Sequence, residues 1–179
     1  MPRGHFNVLH AGSGGMLTTS QDNASHAVKA NQTGIVRGSV LMVDTTEGAW
    51  VLATDNVESR GDANTPGPIL YFALNDQGEP DVRMSGVLTA LPCTASFPFE
   101  TDQLDTDETW ALGTYASAGA EGKLVPHTAG YTAVAVMIKA PFNRWINDKL
   151  HATELKTGGI GTVAHFRAIF QPQFAPTPA

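Results

Sequence analysis

Every apolar run in this sequence is short, and almost every one is ended by glycine, proline or an Asn/Asp-rich turn. A helix of ordinary length needs about three turns of unbroken 3.6-residue periodicity, whereas a strand needs only roughly four to eight residues between turn signals. The punctuation therefore favours many short strands. Ile35 to Val43 is β-branched and apolar, Asp44 to Gly48 is a turn, and Ala49 to Ala53 reads as the return strand of a hairpin. Ile69 to Leu74 and Val82 to Ala90 read as two more strands. Phe97 and Phe99 alternate with Pro98 and Glu100, which indicates an edge strand, where proline costs no ladder bond.

The second half repeats the style. Thr109 to Ala116 is a strand broken at Gly113, Gly119 to Gly122 turns the chain into Lys123 to Pro126, and Tyr131 to Lys139 alternates. Gly161 to Phe170 sets Val163, His165, Arg167 and Ile169 against Ala164, Phe166, Ala168 and Phe170, the period of a strand with one wet face. Only Phe142 to Leu155, between Pro141 and Gly158-Gly159, has the spacing of a short helix. One echo stands out. Arg37-Gly38 leads to Glu47-Gly48 and Ala49-Trp50-Val51, and Leu112-Gly113 leads to Glu121-Gly122 and Lys123-Leu124-Val125. Both read as strand, glycine kink, strand, Glu-Gly turn, return strand.

The expected fold is all-β, a barrel or a sandwich, with an extended N-terminal arm and at most one short helix. The arm covers 1–32: a Gly12-Ser13-Gly14-Gly15 hinge and a polar run, carrying the apolar anchors Phe6, Val8, Leu9, Met16 and Leu17. Such a segment orders when laid across a partner. The folded domain covers 33–172, and 173–179 is a proline-rich tail.

Charge excludes one function class. The net charge is −6 and the eleven basic residues never form a run, so no stripe exists to displace counterions from nucleic acid. Only 16% of residues are charged, against about a quarter in an average domain. A surface poor in charge suits a protein packed against neighbours, because each charge absent from an interface is a desolvation penalty avoided. No apolar run approaches the roughly 20 residues of a membrane helix, so the chain reads as soluble, with no membrane partner.

Catalytic chemistry is not legible. Cys93, the single cysteine, sits in an apolar context and reads as a buried inert thiol. No lysine and no helical pattern follow Gly12-Ser13-Gly14-Gly15, so neither device that holds a phosphate is present. The histidines His5, His10, His26, His127, His151 and His165 lack metal-ligand spacing. Asp102, Asp105, Asp107 and Glu108 cluster but lack the turn glycine and terminal glutamate of a calcium loop, and read as an exposed acidic loop. Arg60-Gly61-Asp62 matches an adhesion tripeptide, inside a polar loop. No cofactor and no metal are expected, and the chain reads as non-enzymatic. The competing classes are a glycan- or small-molecule-binding domain stacking its ligand on Trp50, Trp110 or Trp145, and a phage tail or baseplate component.

The hairpin Gly34 to Ala53 resembles, in style, the head decoration (cement) proteins of tailed bacteriophages. So do the stretch Thr101 to Asp105 leading to Leu112-Gly113-Thr114-Tyr115, the segment Glu121 to Pro126, and the terminal strand Val163 to Phe170 ending in Gln171-Pro172. The likeness spans roughly 34–172 and departs from the family at 142–156. It implies a barrel or sandwich on the capsid exterior, a homo-trimer or homo-dimer bracing the major capsid protein, with a terminal arm reaching across subunits.

Overall fold

In a computed structural model the structure describes residues 4, 6–8, 24–53, 69–93, 98–128, 132–143 and 166–175. These residues are all-β apart from one short helix and one 3-10 turn, Ala120–Gly122. The strands are β1 (Phe6–Val8), β2 (Ala24–Ala27), β3 (Val40–Val43), β4 (Trp50–Leu52), β5 (Tyr71–Ala73), β6 (Val87–Pro92) and β7 (Phe99–Thr101). They continue with β8 (Tyr115–Ala118), β9 (Leu124–Pro126), β10 (Ala133–Asn143) and β11 (Phe166–Ala175). They form two antiparallel sheets, one ordered β2-β6-β5-β3-β4 and the other β1-β7-β11-β10-β8-β9. Phe72 of the first sheet meets Phe99 of the second with ring centroids 4.5 Å apart, at the centre of a shared core.

Leaving β1 aside, the two sheets are one design built twice. Strand order β2-β6-β5-β3-β4 matches β7-β11-β10-β8-β9 position for position. Each unit enters its central hairpin through the same turn. In the first, Gly38 has φ 91°, Ser39 N–H donates to Val36 O at 2.9 Å, and Ser39 Oγ accepts from Val36 N–H at 3.1 Å. In the second, Gly113 has φ 82°, Thr114 N–H donates to Ala111 O at 3.1 Å, and Thr114 Oγ1 accepts from Ala111 N–H at 3.2 Å. Gly38 then donates to Ala73 O, and Gly113 to Met137 O. Parallel bridges Val28–Trp50 and Leu104–Leu124 also correspond, as do the bonds Lys29 N–H to Trp50 O and Asp105 N–H to Leu124 O. Even Pro92 opposite Tyr71 has its counterpart in Pro172 opposite Ala135.

Because side chains alternate along a strand, this correspondence also fixes equivalent faces. Val28, Ile35, Leu41, Trp50, Ala73 and Ala90 form the front of the first unit. Their counterparts Leu104, Trp110, Ala116, Leu124, Met137 and Phe170 form the front of the second, which packs on the back of the first, at Val40, Met42, Phe72 and Leu91. The units stack front to back. The first sheet is therefore apolar on both faces, and its β3 (Val40-Leu41-Met42-Val43) reads as a continuous run rather than an alternation.

The front of the first unit is closed by Ile35 and by α1 (Pro80–Ser85), whose Val82 is buried among Leu41, Trp50 and Leu88. Val82 to Ala90 was expected as one strand; the chain instead makes α1 and then β6. Pro80 presets φ at the first helical turn, Asp81 suits the positive N-terminal end, and Gly86 (φ 69°) ends the helix by donating its N–H to Val82 O at 2.8 Å.

Other boundaries move too. Ile35 to Ser39 is a turn-containing lead-in, and the strand proper begins at Val40. β7 is no edge strand: it lies between β1 and β11, and Pro98 stands just before it. Phe142, expected to open a helix, lies in β10; 144–165 fall outside the described residues. The arm boundary at 32 is corrected, since β2 is paired to β6 and Gln32 accepts from Gln77 Nε2 at 2.6 Å. Ala-Ser-His-Ala carries no apolar period, so only its ladder reveals it as a strand. The domain likewise runs past 172, because β11 continues to Ala175.

Candidate functional site

A cavity of about 650 Å³ lies beside α1, lined by Thr33–Val36, Asp76–Pro80 and Arg83. Its two carboxylates, Asp76 and Glu79, are committed to holding the chain. Asp76 Oδ1 accepts from Arg37 N–H at 2.6 Å and from Gly4 N–H at 3.2 Å. Glu79 Oε1 accepts from Arg37 Nη2 at 2.7 Å and Asp76 N–H at 3.2 Å, and Oε2 from Asn75 Nδ2 at 3.2 Å. Burial pushes the Glu79 carboxyl up, but the Asp76 N–H, the Asn75 amide and the Arg37 guanidinium outweigh it and hold it below the usual glutamate range. A carboxylate held ionised by three donors is a poor proton acceptor. The cavity is an apolar-lined recess with structural polar walls.

No nucleophile stands ready elsewhere in the described chain. Cys93 is fully buried in the inter-sheet core, and burial pushes its thiol well above the ordinary range. Ser117 Oγ and His127 Nδ1 lie 2.7 Å apart, but Ser117 is buried and no carboxylate among the described residues orients the ring. A hydroxyl–imidazole pair without an acid or an open approach lacks the geometry of an activated nucleophile. His26 packs edge-on against Trp50, centroids 4.8 Å apart. No group of three or more His, Cys, Asp or Glu among the described residues is disposed to hold a metal ion. In the acidic stretch, Asp105 Oδ1 accepts from Asp107 N–H in a turn, and Asp102 Oδ1 accepts from the neighbouring Gln103 Nε2.

Of the arm anchors, Phe6 and Val8 lie in β1, paired with Thr101 and Phe99 of the same chain. Leu9, Met16 and Leu17 lie outside the described residues, as do Arg60-Gly61-Asp62, Trp145, His151 and His165. Trp50 is fully buried, with Nε1 donating to Leu88 O at 2.8 Å. Trp110 donates to Asp105 O at 2.7 Å and sets its ring edge-on to Phe170. Neither offers a bare platform for a sugar.

What the described surface does present is apolar sheet. Tyr115 and Ile138 are 44% and 45% exposed on the back of the second unit, and Leu112 is more exposed still at the turn beside them. The sequence indicated none of this, because which face of a strand is covered depends on stacking. No model of a known protein family matches the chain, and no curated protein matches it. No helix of the described residues is long and apolar enough to cross a membrane.

Proposed function

We propose that this chain is a non-catalytic structural protein that acts through its surfaces, and that it decorates the exterior of a tailed-phage head, bracing the major capsid protein as a small homo-oligomer. One observation supports the surface reading above the others: the back of the second unit leaves the apolar Tyr115 and Ile138 about half exposed, while the carboxylates of Asp44, Asp76 and Glu79 are spent on turns and ion pairs. The resemblance to head decoration proteins supplies the identity of the partner. The glycan-binding alternative loses Trp50 to the core, and Trp110 is partly buried against Phe170.

The N-terminal segment takes a narrower role than an arm of 1–32. Removing all of it would strip β2 from the first sheet, so the informative truncation ends at Val8. Anchoring by Phe6 and Val8 then means exchange of β1 from its own β7 to an edge on the partner, the strand-addition mode of recognition. The test is co-sedimentation of the full chain with expanded heads of the phage that encodes it. Saturable binding at capsid-lattice stoichiometry is expected, and protein left wholly in the supernatant overturns the proposal.

A further inference from the structure

We infer that the back of the second unit, built on Tyr115, Val136 and Ile138, is a self-association face that pairs back to back with the same face of a second copy. The argument rests on the internal duplication. Register places Tyr115 opposite Val136, as Val40 is opposite Phe72, so Tyr115 and Val136 stand where the first unit has Val40 and Phe72. Ile138, two residues beyond Val136 on β10, corresponds likewise to Leu74. In the first unit Val40 and Phe72 are fully buried and Leu74 packs against the inter-sheet core. This face of the unit is therefore already an interface, once, inside the molecule.

In the second unit the three positions keep apolar side chains, yet Tyr115 and Ile138 are 44% and 45% exposed and Val136 is only partly buried. An exposed sheet face that retains the pattern of its buried counterpart marks an interaction site. On the β9 side the chemistry changes. Ser117 and His127, hydrogen-bonded to each other, stand where the first unit has Met42 and Ala53. Ser117 is buried and His127 partly so, and this polar pair bounds the apolar centre on that side.

The occupant follows from what a second copy has to offer. A unit's back is made to receive a front, but both fronts are taken: the first by Ile35 and α1, the second by the first unit's own back. Open-ended front-to-back stacking of whole chains is thus blocked. What remains is the same back face, and a face meeting itself does so about a two-fold axis, which closes at two copies. The inference rests on the reading of the chain as a self-associating structural protein and names where that association occurs.

The test measures oligomeric state of the full chain by sedimentation equilibrium, alone and as Ile138→Asp, Tyr115→Asp and the milder Tyr115→Ser. Met84→Asp, at an exposed apolar site on α1, is the control. The wild-type chain and Met84→Asp should be dimers, and each aspartate should weaken the dimer by about tenfold or more, since a charge would be buried without a partner. Circular dichroism and thermal unfolding establish that the variants fold, and Tyr115→Ser carries the same prediction at lower amplitude. Dimers of unchanged affinity in all three face variants overturn the assignment but leave self-association through another surface. A wild-type chain that is monomeric at every concentration overturns the self-association as well.

Discussion

The two units share strand order, turn chemistry and bridge positions, yet they solve opposite problems. The first has a sheet that must be covered on both sides. It obtains one cover from the second unit and builds the other from α1, which inserts Val82 over Trp50 and Leu41. The second needs no such lid, since its front already rests on a neighbour. Between β5 and β6 the first unit places a helical cap, whereas β10 and β11 run on as a long bulged ladder, pairing Lys139 with Ile169 and Asn143 with Phe166. The same scaffold thus carries different insertions according to whether its face ends the stack or continues it, as terminal repeats differ from internal ones.

This comparison can be broken most forcefully at the shared core. Phe72 is fully buried between the sheets and touches Phe99. Phe72→Ala should cost about 3–5 kcal/mol, and urea unfolding followed by fluorescence and by circular dichroism should still show one coincident transition. Two separated transitions would mean that the units fold independently and that the stack is not a single core.

A smaller effect separates the two hairpin turns. Gly48 (φ 64°) and Gly122 (φ 68°) hold matching places, but a Cβ at Gly48 would meet open space. At Gly122 it would lie 2.7 Å from Leu52 Cδ2 and 2.9 Å from the Val40 carbonyl oxygen. Gly48→Ala should cost about 1–2 kcal/mol from backbone strain alone, and Gly122→Ala distinctly more, because a backbone oxygen cannot step aside. Equal losses in chemical denaturation would contradict the close contact between the second unit's turn and the first unit's sheet.

The smallest effect concerns acid. Glu79 and Asp44 both hold their protons less tightly than ordinary carboxylates: Glu79 for the reasons given above, Asp44 through the Lys29 ammonium at 2.6 Å and the Glu47 N–H. A depressed carboxyl stabilises the fold at pH above its unfolded value, near 4, and that stabilisation fades as pH falls through the lower folded value. Comparing wild type with Glu79→Gln by denaturation at neutral pH and near pH 3 should show the variant less stable at neutrality, by about 1 kcal/mol at most. The gap should narrow in acid, and a gap that widened there would reverse the assigned sign.

Part of this architecture is legible in the residues. The paired Gly and Glu-Gly signals mark both central hairpins, since a left-handed turn position favours glycine wherever it falls. Period-two alternation marks β10 and β11. Other features are hidden for physical reasons. Ala-Ser-His-Ala is a strand only because β6 offers a ladder. The helix Pro80–Ser85 is too short for a periodicity to declare itself, although Pro80 and Gly86 frame it. The open back of the second unit is hidden most deeply: Tyr115, Val136 and Ile138 look like core residues in sequence, and only the direction of stacking decides that they are not.

The first described residue has a consequence for how the chain comes together. Gly4 lies so close to Arg37 that a Cβ would run into the Arg37 carbonyl oxygen, and its N–H shares Asp76 with the Arg37 N–H. A few residues on, β1 joins β7. Gly4 and β1 are thus stitched to the first unit and to the second sheet in turn, across sequence separations that make such contacts slow to form. During synthesis this segment emerges ahead of every partner it needs, so β1 is fastened to β7 only after Thr101 has left the ribosome.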